Sequence, residues 1–313
     1  MTPQCVVAVD VGGTTLKAAL VDEHGTQLQF QTIPTKREQG PQAVVTRITT
    51  AVQDLLASAA AQGTAPAGVG VVVPGIVDEN KGIAVYSANI GWRRVPLRGL
   101  LEDAFDLPVV LGHDVRAGGM AERALGAARG CDNFLFLPIG TGIAGAMTLC
   151  GHSYASGGHS GEIGHVVVDP EGDVCGCGAR GCLETIASAS AIASRYTQRV
   201  GAPEPLSAAR VSHLARHGDP TATAVWTEAI HALADCLSTY TSLLAPELIV
   251  VGGGLAGAGD QLLHPLREQL RSRLTFQRCP DLRATQLGER AGSIGAGLLA
   301  WQRVNSAAPV ACP

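Results

Sequence analysis

The chain has 313 residues, of which 46% are hydrophobic and 16% are charged, with a formal net charge of −4. That length is sufficient for two domains with a core each, and the composition is typical of a globular protein. The weakly acidic charge gives no electrostatic footprint for nucleic acid or an anionic membrane, and no apolar run reaches the roughly 20 residues that span a bilayer. Nine cysteines, an odd number, favour a reducing compartment over a disulfide framework. Because no basic segment precedes the first apolar run, we expect a cytoplasmic protein.

The N-terminal segment is predicted to form a β-hairpin. Residues 6–11 and 16–21 are apolar runs, and the sequence Gly-Gly-Thr-Thr between them indicates a tight turn. The backbone N–H groups of such a turn could cradle a phosphate, and a carboxylate at the end of the first strand could hold a hydrated Mg²⁺. The residues that would do so are Asp10, Gly12, Gly13, Thr14, Thr15 and Lys17. A plain hairpin turn is the alternative, and a third strand near residues 25–34 would complete a meander.

A helix, a buried strand and a polar loop are expected next. Apolar residues spaced through 42–61 predict an amphipathic helix, and the apolar run 68–74 predicts a strand that is covered on both faces. The irregular segment 87–92 contains Asn89, whose amide could contact hydroxyl groups or hold its own turn. Both interpretations of Asn89 remain open from these residues.

Asp114 follows the next predicted strand. Residues 97–105 indicate a short helix, 108–112 a buried strand and 115–125 another helix. A carboxylate at the C-terminal end of a parallel strand is suited to general-base chemistry. It could equally cap the helix that follows, so the residues alone leave two roles for Asp114.

The second half of the chain repeats the plan of the first. An apolar strand over 134–139 runs into Gly140, Thr141 and Gly142, and a second apolar stretch ends at Leu149. This duplication favours phosphate binding by both turns. A further buried strand, 248–251, runs into Gly253, Gly254 and Leu255, where glycines let a backbone approach a flat ligand closely. Helices are expected over 188–200, 211–217, 221–244, 261–274 and 289–304, and disorder over 305–313.

The segment from residue 161 to residue 184 has the strongest chemical signal. It holds Cys175, Cys177 and Cys182, with His165 ten residues before the first cysteine. Three thiolates and one imidazole form the closed tetrahedral set of a structural zinc site. Two carboxylates, Glu162 and Glu184, stand beside these ligands. The residues therefore predict a metal clip that holds polar side chains in place for a substrate.

Together these motifs resemble the ROK family of sugar kinases (repressor, open reading frame, kinase), and most closely its bacterial glucokinases. The resemblance covers nearly the whole chain, and its most specific motif is the cysteine segment 175–184. The matching segments are 10–17, 74–75, 89–92, Asp114, 140–145, 162–165, 175–184 and 252–255.

This resemblance implies an α/β, actin-like ATPase (ribonuclease H-like) two-domain fold, with duplicated mixed-sheet units and an interdomain cleft. We expect a small N-terminal domain of residues 1–112 plus about 290–313, and a large domain of residues 113–289 with the zinc site. The resemblance also implies a homodimer or homotetramer.

The resemblance further implies a role for each candidate residue. Asp114 would accept the proton of the 6-hydroxyl as glucose receives the γ-phosphate of ATP. The implied sugar contacts are Gly75, Asn89, Asp114, Glu162, His165 and Glu184. The implied phosphate and nucleotide contacts are Asp10, Gly12, Gly13, Thr14, Thr15, Lys17, Gly140, Thr141, Gly142, Gly253, Gly254 and Leu255. Structural zinc would be held by His165, Cys175, Cys177 and Cys182, and the Mg²⁺ that accompanies ATP by Asp10 through water.

One position departs from the family pattern. The family often has Asn before the catalytic Asp, whereas this chain has His113, which we interpret as a structural variant rather than a proton relay. Glucose ranks first as the substrate and N-acetylglucosamine second, with N-acetylmannosamine, mannose, fructose and allose as further alternatives.

A sugar-sensing regulator is the alternative of a different class. ROK repressors share the sugar and zinc core but carry an N-terminal helix-turn-helix domain of roughly 60 residues or more. A first strand that begins at about Cys5 leaves no room for such a domain, so we expect a kinase.

Overall fold

The computed structural model describes residues 4–204 and 206–307. In chain order the strands and helices are β1 Gln4–Val11, β2 Thr15–Val21, β3 Gln27–Pro34, α1 Pro41–Ala61, β4 Ala65–Val73, β5 Ile76–Asp78, β6 Ile83–Ser87, β7 Trp92–Val95, α2 Leu97–Phe105, β8 Val109–His113, α3 Asp114–Leu125, β9 Phe134–Pro138, β10 Ala146–Leu149, β11 His152–Tyr154, α4 Glu184–Ala187, α5 Ala189–Val200, α6 Ala208–Arg216, α7 Pro220–Leu244, β12 Leu248–Gly252, α8 Asp260–Arg273, β13 Asp281–Ala284 and α9 Ala291–Ala307.

The described residues divide into two compact units. Unit 1 takes in those of Met1–Leu125, Ala155–His159 and Arg290–Pro313, and unit 2 those of Gly126–Tyr154 and Ser160–Glu289. The boundary expected from the sequence, between 112 and 113, would cut the last residue from β8 and assign α3 to the large domain, whereas α3 lies in unit 1. The reason is packing: Ala117 of α3 shares a buried cluster with Ala296 and Ala300 of α9.

Unit 1 is built on a five-stranded mixed sheet of order β3-β2-β1-β4-β8. Strands β1, β2 and β3 form an antiparallel meander, while β1, β4 and β8 run parallel. Helices α1 and α2 pack on one face, and α3 and α9 on the other. Because the C-terminal ends of parallel strands meet at one edge of a sheet, Asp10 and Asp114 lie at the same edge.

Unit 2 repeats this plan with the order β11-β10-β9-β12-β13. Strands β9, β10 and β11 are antiparallel, and β9, β12 and β13 are parallel. Its core lies between the sheet and helices that include α5, α7 and α8. The predicted duplication of a mixed-sheet unit is therefore confirmed.

Some elements differ from the sequence-based expectations. A small sheet of order β5-β6-β7 was not expected, because its strands of three to five residues are too short for a periodic pattern. Helix α9 continues to Ala307, so the expected disorder is wrong for 305–307, and 308–313 lie outside the described residues. Among the described residues, no helix has the length and apolar character needed to cross a membrane.

Candidate functional site

The Gly-Thr turn of unit 1 is closed tightly by its own backbone. The N–H of Gly12 donates to the carbonyl of Thr15 at 2.9 Å, and a Cβ at Gly12 would lie only 2.7 Å from that oxygen. Thr35, which is fully buried, donates its hydroxyl to the carbonyl of Gly12 at 2.7 Å. Its N–H also donates to the carbonyl of Thr14 at 2.8 Å. Thr35 therefore anchors the turn. Sequence reasoning missed it, because only its place just after β3 hinted at a role.

Asp10 lies beside this turn in a desolvated position. It is paired with Lys17 across β1 and β2, and a Cβ at Gly292 of α9 would overlap its carboxylate. Desolvation raises the pKa of Asp10 to about 7, the charge of Asp114 raises this pKa as well, and Lys17 lowers it. The ionised form of a desolvated carboxylate is stabilised by a nearby cation, so the residues present fit a site for Mg²⁺. Gly292 was missed because only tertiary packing brings α9 to this strand end.

Asp114 is the first residue of α3 and directly follows β8. Its Oδ1 accepts the N–H of Val115 at 2.7 Å, and its side chain is 25% exposed. The amides of Val115 and Arg116 also donate to Nδ1 of His113, at 3.2 and 3.4 Å. That is the pattern of an N-cap residue, whose side chain accepts from the second and third helical amides. The N-cap of α3 is therefore His113, which corrects the alternative that assigned this role to Asp114.

Two further sugar-contact candidates of unit 1, Asn89 and Gly75, have different surroundings. A Cβ at Gly13 would lie 3.7 Å from the Cβ of Asn89, and the carbonyl of Asn89 accepts from Arg37 Nη1 at 3.4 Å. Gly75 has a φ of 100°, and a Cβ there would overlap the carbonyl of Tyr86. The close approach of β6 is thus sufficient by itself to require glycine at position 75.

The two glycine segments of unit 2 are joined by hydrogen bonds around Ile139. Its N–H donates to the carbonyl of Gly252 at 3.0 Å, and its carbonyl accepts the N–H of Leu255 at 3.0 Å. Gly253 has a φ of 72°, and a Cβ there would overlap the carbonyl of Ile139. The structure therefore brings together the segments 140–142 and 253–255, both expected to contact nucleotide.

A cavity of about 260 Å³ borders this junction. Gly254 and Leu255 form one part of its wall, and Ser212, His213 and Arg216 of α6 form another. Sequence reasoning missed the α6 residues, because nothing in an amphipathic helix pattern shows which loop it will face. The cavity therefore adjoins the two glycine segments and has one apolar side and one side with basic residues.

Glu184 holds the first glycine turn of unit 2. Its Oε2 accepts the N–H of Ile143 at 2.9 Å, and a Cβ at Gly142 would overlap this carboxylate. Glu184 begins α4, directly after the cysteine segment. The candidate sugar-contact residue Glu184 is thus bound to the backbone of a candidate phosphate turn.

The three cysteines and His165 come together as a cluster that could hold a metal ion. Their potential ligand atoms all lie within 4.8 Å of one another. Sγ of Cys177 and Sγ of Cys182 are 3.7 Å apart, and Sγ of Cys175 is 3.6 Å from Nδ1 of His165. Burial raises the pKa of the Cys182 thiol to about 12, whereas the backbone N–H of Ala179 lowers the pKa of the exposed Cys177. A thiolate at the buried position therefore needs a neighbouring cation.

The imidazole of His165 presents its two nitrogens to different groups. Nδ1 faces the cysteine cluster, while Nε2 lies 3.8 Å from Oε2 of Glu162. Both side chains are partly exposed, at 34% and 49%. Glu162 and His165 are therefore accessible next to the cluster.

The fold and these sites define an actin-like ATPase with a Cys/His cluster that could hold a metal ion. The chain belongs to the ROK family, whose family model matches residues 6–303. It is 34% identical to the glucokinase of Halalkalibacterium halodurans over 98% of each chain. The family and the enzyme class that the sequence predicts, a ROK sugar kinase, are therefore confirmed.

Solved structures agree with this assignment. A ROK family glucokinase from Streptomyces griseus, in complex with glucose and AMPPNP, is 31% identical, with a TM-score of 0.83 over 95% of this chain and 99% of that one. The ROK hexokinase from Thermus thermophilus is 32% identical, with a TM-score of 0.83 over 96% and 99% of the respective chains. The predicted fold class is therefore confirmed as well.

Proposed function

We propose that the chain is an ATP-dependent glucokinase, which transfers the γ-phosphoryl group of ATP to the 6-hydroxyl of glucose and yields glucose 6-phosphate and ADP. The observation that carries this proposal is the pair of carboxylates, Asp10 and Asp114, at one edge of the parallel strands beside a Gly-Thr turn. A relative named glucokinase, and a similar structure in complex with glucose and AMPPNP, support the choice of substrates.

The two carboxylates have different environments, which supports different roles. Asp114 stands at the N-terminus of α3, directly after β8, and its side chain is 25% exposed, so a substrate hydroxyl can reach it. It accepts the proton of the sugar 6-hydroxyl as the oxygen attacks phosphorus and the bond to the bridging oxygen of ADP breaks. Asp10 holds Mg²⁺ through water. When bound with ATP, this ion neutralises charge on the phosphates.

The turns of the two units bind phosphate and nucleotide. In unit 1, the amides of Gly13, Thr14 and Thr15 and the positive charge of Lys17 serve the transferred phosphoryl group, while the amide of Gly12 closes the turn. In unit 2, the segments 140–142 and 253–255 supply the amides of Thr141, Gly142, Gly253 and Gly254 for the remaining phosphates, while those of Gly140 and Leu255 donate within the protein. The 260 Å³ cavity beside Gly254 receives the adenosine portion, because it combines an open glycine wall with polar side chains of α6.

The Cys/His cluster binds zinc, which has a structural role. A zinc ion about 2.3 Å from sulfur and about 2.0 Å from nitrogen would set two sulfurs about 3.8 Å apart, and sulfur and nitrogen about 3.5 Å apart. The observed separations of 3.7 and 3.6 Å fit this geometry. Four protein ligands leave no position for a reacting water, so the zinc fixes the segment that carries Glu162, His165 and Glu184.

Contacts to the sugar come from six residues. Directional hydrogen bonds to several hydroxyls hold the reacting 6-hydroxyl in line with the phosphoryl group. The ring nitrogen of His165 that does not bind zinc donates to a hydroxyl, because ligation of Nδ1 leaves the proton on Nε2. The contact residues are Gly75, Asn89, Asp114, Glu162, His165 and Glu184.

A panel of sugars in a coupled ADP-release assay tests this function. We expect the highest kcat/KM with glucose. A higher value with N-acetylglucosamine or another hexose would overturn glucose as the preferred substrate but retain the proposed kinase activity. Turnover with none of the sugars would overturn the kinase activity itself. Specific operator binding without turnover would favour the regulator instead.

The role of Asp114 has its own test in the same assay. Asp114→Asn should reduce kcat by about 10²–10⁴-fold, because the amide cannot accept the hydroxyl proton. Circular dichroism should show an unchanged fold. Near-normal turnover in this variant would remove Asp114 as the base.

A further inference from the structure

The junction between β8 and α3 is a single peptide bond, and one ring nitrogen at this junction accepts two amides of the helix. The first amides of a helix have no partner within the helix. Here Nδ1 of His113 accepts the N–H of Val115 at 3.2 Å and that of Arg116 at 3.4 Å. Because a backbone N–H can only donate, Nδ1 is the acceptor, and the proton of the neutral ring lies on Nε2.

A single carboxylate oxygen fixes the same junction from the other side. Oε1 of Glu79, in the turn between β5 and β6, accepts the N–H of His113 at 3.2 Å. The same oxygen accepts hydrogen bonds from Nε and Nη2 of Arg116, at 3.1 and 2.9 Å. The side chain of Arg116 is only 4% exposed and that of Glu79 is 38% exposed. Glu79 thus ties the last residue of the strand to the first turn of the helix.

These contacts limit what the carboxylate of Asp114 can do. Its Oδ1 already accepts the N–H of Val115 at 2.7 Å and lies 3.4 Å from Nδ1 of His113. Since both atoms are acceptors when the ring is neutral, their lone pairs repel each other. An aspartate that took over the capping bonds would turn further over the helix end and hold its charge on the amides. With His113 as the cap, the amides of Val115 and Arg116 already have an acceptor, so the carboxylate of Asp114 gains less by turning over the helix end.

We propose that His113 and the Glu79–Arg116 pair are positioning residues for Asp114: the imidazole caps α3, and the ion pair fixes the strand–helix junction. One oxygen of Asp114 keeps the amide of Val115, and the carboxylate is thereby held in place to meet the substrate hydroxyl with its other oxygen. This inference rests on the proposed role of Asp114 as the base. It also gives His113, the residue that departs from the family pattern, a defined task.

Steady-state kinetics of variants at these positions test the proposal. His113→Ala should lower kcat about tenfold or more, while KM for glucose and for ATP stays within about twofold, because only the geometry of the base changes. His113→Asn should recover kcat to within about threefold of wild type, since an amide oxygen is a good N-cap acceptor. Glu79→Gln should lower kcat by about three- to tenfold, because it weakens the hold on Arg116.

A matched control separates positioning from stability. Asp219 caps α7 through the N–H of Ala222 at 2.7 Å, so Asp219→Ala removes a cap of the same kind in unit 2. It should lower the melting temperature about as much as His113→Ala but leave kcat within about twofold.

Each other outcome counts against the proposal. A normal kcat with a lowered melting temperature in His113→Ala would make the cap merely structural. A raised KM for glucose at unchanged kcat would make His113 a sugar contact. If His113→Ala does not fold, an unchanged kcat in Glu79→Gln overturns the proposal. A wild-type protein without turnover on any hexose overturns the proposed function and this inference together, whereas unaffected variants of an active enzyme overturn only the inference.

Discussion

The glycine turns of the two units occupy corresponding places, after the first strand of sheets that share one strand order. In unit 1 the turn is anchored by Thr35, which follows β3 of the same sheet, and its carboxylate, Asp10, belongs to β1 itself. In unit 2 the strand before the turn, β9, has the sequence FLFLP and carries no carboxylate. The acid that binds this turn is Glu184, which comes from the end of the cysteine segment.

This difference indicates how the duplicated units have separate tasks. A carboxylate on the strand beside the turn of unit 1 would provide negative charge at a fixed place for the proposed Mg²⁺. In unit 2 the carboxylate is instead attached to the backbone amide of Ile143, so the conformation of the turn depends on the segment that holds Glu184. The first turn is held by Thr35 next to its own sheet and the second by Glu184 at the end of the cysteine segment. Four experiments test this contrast.

The largest effect is expected at the acid of the first turn. Asp10→Asn should reduce kcat by about 10²-fold or more at saturating ATP and raise the Mg²⁺ concentration required, because a neutral amide is a poor partner for the cation. A Mg²⁺ titration of activity measures both. Asp22→Asn, which alters a partly exposed acid of the β2–β3 turn, is the matched control and should stay within about twofold. A fully active Asp10→Asn would show that the charge of this strand is dispensable.

The second effect concerns the cluster that supports the turn of unit 2. Cys177→Ser should lose zinc, lower the melting temperature by more than about 5 °C and reduce activity, because a structural zinc contributes directly to folding. Metal analysis and calorimetry measure these changes. Cys150→Ser, at an exposed cysteine outside the cluster, is the control. Full activity in a zinc-free wild-type protein would contradict the dependence of unit 2 on its metal.

The third effect tests the link between Glu184 and the turn. Glu184→Ala should lower kcat/KM by about 10²-fold and raise KM for both ATP and glucose, since the amide of Ile143 loses its acceptor. Glu184→Gln keeps an acceptor oxygen and should lose only about tenfold. If Glu184→Ala raised KM for glucose alone, Glu184 would be a sugar contact with no influence on the phosphate turn.

The smallest effect is the pH dependence of stability. Desolvation raises the pKa of Asp10 from 3.8 to about 7, so the folded protein keeps a proton that the unfolded chain releases. The stability contributed by this proton is complete below the unfolded pKa and is lost as pH rises from there through about 7. The part that is lost between about pH 5.5 and pH 8 is on the order of 2 kcal/mol. Without Mg²⁺, Asp10→Asn should lack this decline between about pH 5.5 and pH 8, as measured by urea unfolding. Equal slopes for both proteins would contradict the desolvation of Asp10.

Much of the fold could be predicted because its signals are local. Helix α2 begins and ends at the expected residues, Leu97 and Phe105, and the hairpins flank their predicted turns. Periodicity and turn glycines act over a few residues, so they are readable in a single sequence. The cysteine cluster was predictable for the same reason, since three of its four ligands lie within eight residues.

The contacts that could not be predicted join residues distant in the chain. Gly292 meets Asp10 only because α9 returns to the first sheet, and Glu79 reaches Arg116 from another sheet. Such partners depend on how helices and strands pack, which no local pattern encodes.

The sequence alone therefore determined the family, the duplicated sheets and the chemical types of the candidate residues, because turn glycines, ligand spacing and strand ends are local properties. Only the tertiary structure decided which neighbouring groups orient the candidate residues. It assigned the cap of α3 to His113 instead of Asp114 and attached Glu184 to the turn at Ile143. The physical reason is that a hydrogen bond depends on separations of about 3 Å in space, which chain order does not specify across a folded core.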